Sequence, residues 1–138
     1  MTKSELTQYI KAEALRLGFD VCGIAKAEAV ESSTAGFCDL WVKDGYNGTM
    51  GYLERNCDKR YDPTLLVEGC RSIIVVALNY TPSQAIEGIS HYAQGEDYHI
   101  LLRRKLQGID DYLLENGYKS KIYVDNNPLD ERLLAYNA

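Results

Sequence analysis

The sequence predicts an α+β fold, with a central mixed, mostly antiparallel sheet flanked by helices. Three observations carry that expectation. Thr2 and Glu5 form a T-x-x-E capping box, and Leu6, Ile10, Ala14 and Leu17 follow at helical spacing. Residues 72–78 contain Ile73-Ile74-Val75-Val76-Ala77-Leu78, the most apolar and β-branched run in the chain. Residues 97–116 form the longest periodic stretch, with Tyr98, Leu102, Leu106, Ile109 and Leu113 as its buried stripe.

Taken in order, the first helix stops at Gly18, a residue suited to the left-handed C-terminal position. Residues 21–25 read as a short strand in which Gly23 permits a close backbone approach. A second helix covers 34–44, with Phe37, Leu40 and Trp41 on one face, and Gly45 ends it. Residues 45–61 mix Gly45, Gly48 and Gly51 with Tyr46, Met50, Tyr52 and Tyr61. That composition fits a loop packed around something flat, and equally an ordinary connection with some buried tyrosines. Pro63 starts a helical turn over 64–67. The run at 72–78 is expected as a central strand covered on both faces. Residues 89–93 and 121–124 are expected as further strands. Gly117 ends the long helix, 125–128 form a turn, and 129–136 have helical character.

The 138 residues are the usual size of one domain, and 46% hydrophobic residues suffice for a core. No apolar run approaches the roughly 18 residues that span a membrane. The polar Met1-Thr2-Lys3-Ser4-Glu5 start carries no apolar leader segment, so a cytoplasmic location is expected. A net charge of −5 argues against a dedicated nucleic-acid-binding domain. Cys22, Cys38, Cys57 and Cys70 make no C-x-x-C pair, so neither a zinc site nor an iron–sulfur loop is expected, but four reduced thiols. The apolar Leu133-Leu134-Ala135-Tyr136 so near the last residue predicts a truncated domain, whose exposed edge a second copy of the chain would cover.

Three constellations are candidates for chemistry. Both histidines, His91 and His99, lie in one nine-residue segment that includes Tyr92, Gly95, Asp97 and Tyr98. Asp97 is placed to cap the long helix. The histidines fall on different elements without an evident third ligand, so no metal site is predicted. Asp125 follows a strand directly, where a general acid or base often sits and where a plain turn aspartate sits more often. Arg132 lies seven residues further, where two turns of helix would bring it beside Asp125. Arg103-Arg104-Lys105 with Lys119 and Lys121 is a small basic cluster, able to meet phosphate but commonly a solvated helix face. None of the P-loop, G-x-G-x-x-G, G-x-S-x-G and H-E-x-x-H motifs occurs.

In combination these segments resemble a known family. The residues are Gly45-Tyr46-Asn47-Gly48-Thr49-Met50-Gly51-Tyr52-Leu53, then Arg60 with Asp62-Pro63, Leu65-Leu66, and the strand from Ser72 to Tyr80. Tyr92-Ala93-x-Gly95-x-Asp97-Tyr98-His99 and Val124-Asp125-x-x-Pro128-Leu129-x-Glu131-Arg132 complete the order. This pattern resembles the N-terminal, cobalamin-side domain of the epoxyqueuosine reductases. The resemblance implies an oxidoreductase that reduces epoxyqueuosine in tRNA to queuosine with cobalamin and 4Fe–4S clusters. It implies an α+β domain akin to nitroreductase-like cobalamin domains, and it spans 1–138 as the N-terminal part of the catalytic domain. It makes Asp125 the proton donor and Arg132 a substrate- or cofactor-binding residue. It makes Tyr92, Gly95, Asp97, Tyr98 and His99 cofactor-side residues.

A proton donor must hold its proton near neutral pH, which calls for partial desolvation of the Asp125 carboxyl. Two features depart from the family pattern: Glu96 stands where Gly-Arg-Asp is usual, and Asn126-Asn127 follow the aspartate. The cluster-binding cysteine runs of the family are absent from these residues, so the chain alone is expected to be inactive. Two other functions are compatible with the residues: a flavin- or corrinoid-binding module of another oxidoreductase, and a non-enzymatic interaction domain whose tyrosines are core.

Overall fold

The computed structural model describes residues 1–138. Five helices and two strands follow in the order α1 (Lys3–Arg16), β1 (Val21–Lys26), α2 (Ser32–Lys43), α3 (Cys57–Tyr61), β2 (Ser72–Ala77), α4 (Tyr98–Glu115) and α5 (Glu131–Asn137). The chain divides into two compact units: Met1–Ile24 with Ile74–Asn127, and Ala25–Ile73 with Pro128–Ala138. The α+β class is thus as expected.

In the first unit α1 begins as its sequence dictates. The Thr2 amide donates to Glu5 Oε2 at 2.7 Å and the Glu5 amide donates to Thr2 Oγ1 at 3.2 Å. At the other end Gly18 takes φ +87°, and the Gly18 and Phe19 amides return to the Leu15 and Ala14 carbonyls. The core joins Ile10 and Ala14 of α1, Phe19, and Ile109 and Leu113 of α4. Tyr9 stacks on Tyr112 at 4.3 Å, while Lys105 Nζ donates to the Leu17 carbonyl at 2.7 Å, so the helices run antiparallel. A Cβ on Gly108 would stand 3.0 Å from Leu17 Cδ2, and glycine there lets the two helices close up.

The sheet has two strands, β1 and β2, paired antiparallel. Its ladder is flanked by Asp20 N–H to Ala77 C=O at 2.9 Å and Ala27 N–H to Arg71 C=O at 3.1 Å. This corrects the expectation of a larger sheet with β2 at its centre. Ile74, Val76 and Leu78 pack on the α1–α4 core, but no residue of β2 is fully buried. An apolar run shows that a strand forms; the number of neighbours it acquires is decided by residues elsewhere.

Two expected strands are not formed. His91–Ala93 is a 3-10 turn. Gln94 takes over the hydrogen bonding that a partner strand would provide, accepting from the Ile86 amide at 2.8 Å and donating to the Ile89 carbonyl at 2.6 Å. Residues 121–124 are irregular, with the Val124 amide donating to Asn126 Oδ1 at 3.2 Å. Alternation alone does not supply a ladder partner.

In the second unit, 45–61 is more ordered than an open loop, containing a 3-10 turn at Gly51–Glu54 followed by α3. It packs around Asn47, which is 2% exposed and donates to Glu54 Oε1 at 2.9 Å. Of its tyrosines, Tyr46 and Tyr52 are exposed and Tyr61 is buried.

Candidate functional site

The segment from Gln94 to His99 turns into α4, and its side chains fix the helix start. Asp97 is the N-cap: its Oδ1 accepts the His99 amide at 2.9 Å and lies 2.8 Å from His99 Nδ1. Those two contacts from His99 hold the Asp97 carboxyl below the usual carboxylate range. The helix places Tyr98 one residue on. Its ring stacks on His99 at 4.1 Å and meets Tyr92 edge-on at 6.2 Å.

The Tyr98 hydroxyl donates to Asp125 Oδ2 at 2.6 Å, across 27 residues of sequence. The hydrogen bond to that carboxyl, with some desolvation, pushes the Tyr98 phenol up to about 12. The phenol is therefore a neutral donor throughout the physiological range. Asp125 itself is exposed and left-handed, with φ +52°. Aspartate tolerates that conformation better than most residues, at a cost on the order of 1 kcal/mol. The turn that carries Asp125 lies open to solvent in this chain.

The structure thus brings Asp125 to the segment that holds Tyr92, Asp97, Tyr98 and His99, through a hydrogen bond across 27 residues. Gly95 lies in the same segment, and a Cβ there would meet nothing within 4 Å. Arg132 lies in the first turn of α5, in the second unit. Residues 126–130 between it and Asp125 are not helical.

Two of the five cations in the basic cluster are committed to structure. Arg104 forks onto Glu96 at 3.0 and 2.9 Å, and Lys105 caps the α1 C-terminus. The acidic residue at 96 is therefore met by a cation from the second turn of α4. The second unit also holds a concavity of about 270 Å³, between α2 and α3. It is lined by Phe37, Cys38, Trp41, Val42, Arg60 and Tyr61. The Tyr61 hydroxyl is buried without a well-formed hydrogen bond, and burial with the Cys38 thiol beside it pushes the phenol up to about 12. The only signal for this feature was the spacing of Phe37 and Trp41.

A carboxyl on an exposed turn is thus tied by a neutral phenol to the head of α4, beside aromatic side chains. Comparisons with known proteins agree on its kin. The family model described as "Epoxyqueuosine reductase QueG, DUF1730" matches residues 60–126, which include both Tyr98 and Asp125. The epoxyqueuosine reductase of Cellulophaga algicola is 40% identical over 140 residues, covering 97% of this chain and 45% of that protein. A crystal structure of an epoxyqueuosine reductase with an epoxyqueuosine-modified tRNA-Tyr stem loop matches at TM-score 0.81 and 28% identity, over 96% of this chain and 37% of that one. The Bacillus subtilis enzyme, solved with an aspartate-bearing catalytic loop swung out of its active site, matches at TM-score 0.76 and 26% identity over 96% of this chain and 37% of that one. The chain is similar to the epoxyqueuosine reductases along nearly its whole length, and spans under half the length of the curated relatives it matches.

Proposed function

We propose that this chain is part of a cytoplasmic epoxyqueuosine reductase, an oxidoreductase that reduces epoxyqueuosine in tRNA to queuosine with cobalamin and 4Fe–4S clusters. In this reading Asp125 is the proton donor. The observation that carries it is the Tyr98–Asp125 hydrogen bond at 2.6 Å, which sets a carboxyl beside the aromatic group at the head of α4. Breaking an epoxide C–O bond leaves charge on a poor leaving oxygen, and a carboxyl delivering a proton to that oxygen lowers the barrier. The tRNA stem loop bound by the structural relative supports the choice of substrate.

The residues present suit cobalamin. Tyr92, Tyr98 and His99 offer aromatic surface to a flat macrocycle, and the uncrowded Gly95 leaves room for a close backbone approach. When bound, cobalamin supplies a strongly reducing, nucleophilic metal centre. This chain's side chains orient the ligand, and Asp125 moves the proton. Arg132 would hold an anionic group of substrate or cofactor. The kinship to nitroreductase-like cobalamin domains is part of the same proposal. An iron–sulfur cluster does not fit these residues: Cys22, Cys38, Cys57 and Cys70 are separate free thiols, and no three His, Cys, Asp or Glu side chains converge. No step is assigned through a cluster.

The test is Asp125→Asn in the complete enzyme. Turnover of an epoxyqueuosine-bearing stem loop should fall by about 10²-fold or more, while the cobalamin visible spectrum stays that of the bound form. Full activity in this variant removes Asp125 as the acid.

A further inference from the structure

We propose that Tyr98 is the positioning residue for Asp125: its hydroxyl ties the exposed, left-handed turn to the head of α4 and so fixes where the carboxyl points. The proposal rests on the reading of Asp125 as proton donor and deepens it.

The turn has little regular structure to hold it. Residues 121–130 form no helix or ladder, and Asp125 and Asn126 are exposed. Misplacement of a catalytic carboxyl by about 1 Å can cost 10²-fold in rate. The Tyr98 hydroxyl reaches across 27 residues to Oδ2. Its own ring is fixed on two sides, by His99 at 4.1 Å and Tyr92 at 6.2 Å. The backbone beneath it is fixed by the Asp97 cap and by the Glu96–Arg104 fork. Tyr98 thus transmits the rigidity of an 18-residue helix to one carboxylate oxygen. The phenol does not compete as an acid, because it holds its proton up to about 12. Its hydrogen bond orients Oδ2 and, like any donor to a carboxyl, favours the ionised form.

Tyr98→Phe removes the hydroxyl and keeps the ring and its stacking, so the fold is preserved. In the complete enzyme the single-turnover rate should fall on the order of 10- to 100-fold with KM little changed. A second readout needs no activity. With carbon-13-labelled tyrosine, the Tyr98 resonance should titrate at about 12 in the wild type and move towards the ordinary value of about 10 in Asp125→Asn. Titration near 10 in the wild type, an unchanged rate in Tyr98→Phe, or a loss expressed in KM alone each overturns the proposal. The two levels separate cleanly. An inactive Asp125→Asn beside a fully active Tyr98→Phe removes the tie and leaves the acid. An active Asp125→Asn removes the acid, and with it the catalytic purpose of the tie.

Discussion

Two helices with similar sequence patterns meet different fates. The apolar stripe of α1 is covered: Ile10 is 4% exposed and Ala14 fully buried, against Ile109 and Leu113 of α4. The apolar face of α2 is open, with Phe37 at 70% and Leu40 at 58% exposure, and no residue of α2 is buried. Periodicity establishes which residues share a face. It does not establish whether anything lies on that face. For α1 the cover comes from a second amphipathic helix in the same unit, brought close by Gly108 at the crossing.

Truncation is the most direct way to break this contrast. Ile109→Ala should lower stability by about 2–5 kcal/mol, because a buried residue leaves a cavity the two helices cannot fully close. Phe37→Ala should change it by about 0.5 kcal/mol or less, as for other exposed positions. Urea midpoints at constant slope read both. If Phe37→Ala costs as much as Ile109→Ala, the face of α2 is covered in solution and the contrast fails.

Gly18→Ala probes the α1 side more finely. At φ +87° any side chain is strained, and the new Cβ would stand 2.7 Å from Lys105 Nζ, displacing the ammonium that caps the Leu17 carbonyl. The expected loss is about 1–2 kcal/mol. A neutral result in the same urea titration would mean that the end of α1 can relax without its glycine.

The parts of the fold that were legible in the sequence are those specified by neighbours within a few residues. The Thr2–Glu5 box, Gly18, the Asp97 cap and Gly117 all act over one turn, and each takes its expected place. Strands depend on a partner that the local sequence does not name. The segments at 89–93 and 121–124 have strand-like composition, yet the Ile89 carbonyl and the Val124 amide are bonded locally, by the Gln94 and Asn126 side chains. The site follows the same division. Tyr98 and Asp125 were each visible as candidates, one at a helix head and one in a turn. That they touch was not visible, because 27 residues and an irregular segment separate them. Asn47 was missed since a buried, bonded asparagine looks in sequence like any turn residue.

The smallest expected effect lies at the junction of core and site. The Asp97 carboxyl is held below its ordinary value near 3.8 by the His99 amide and ring. A depressed carboxylate contributes stability that is present above its unfolded value and is lost as pH falls through the lower folded value. The head of α4 should therefore fray below about pH 4 while the buried segment around Ile109 and Leu113 stays protected. Amide exchange at His99 and at Leu113, followed from neutral pH downward, measures the two ends of one helix. In Asp97→Asn the side-chain oxygen still caps the helix but no longer titrates, so the pH dependence at His99 should flatten. If His99 and Leu113 lose protection together in the wild type, the acid sensitivity belongs to the whole unit. In that event the head of α4 is as firmly held as the core.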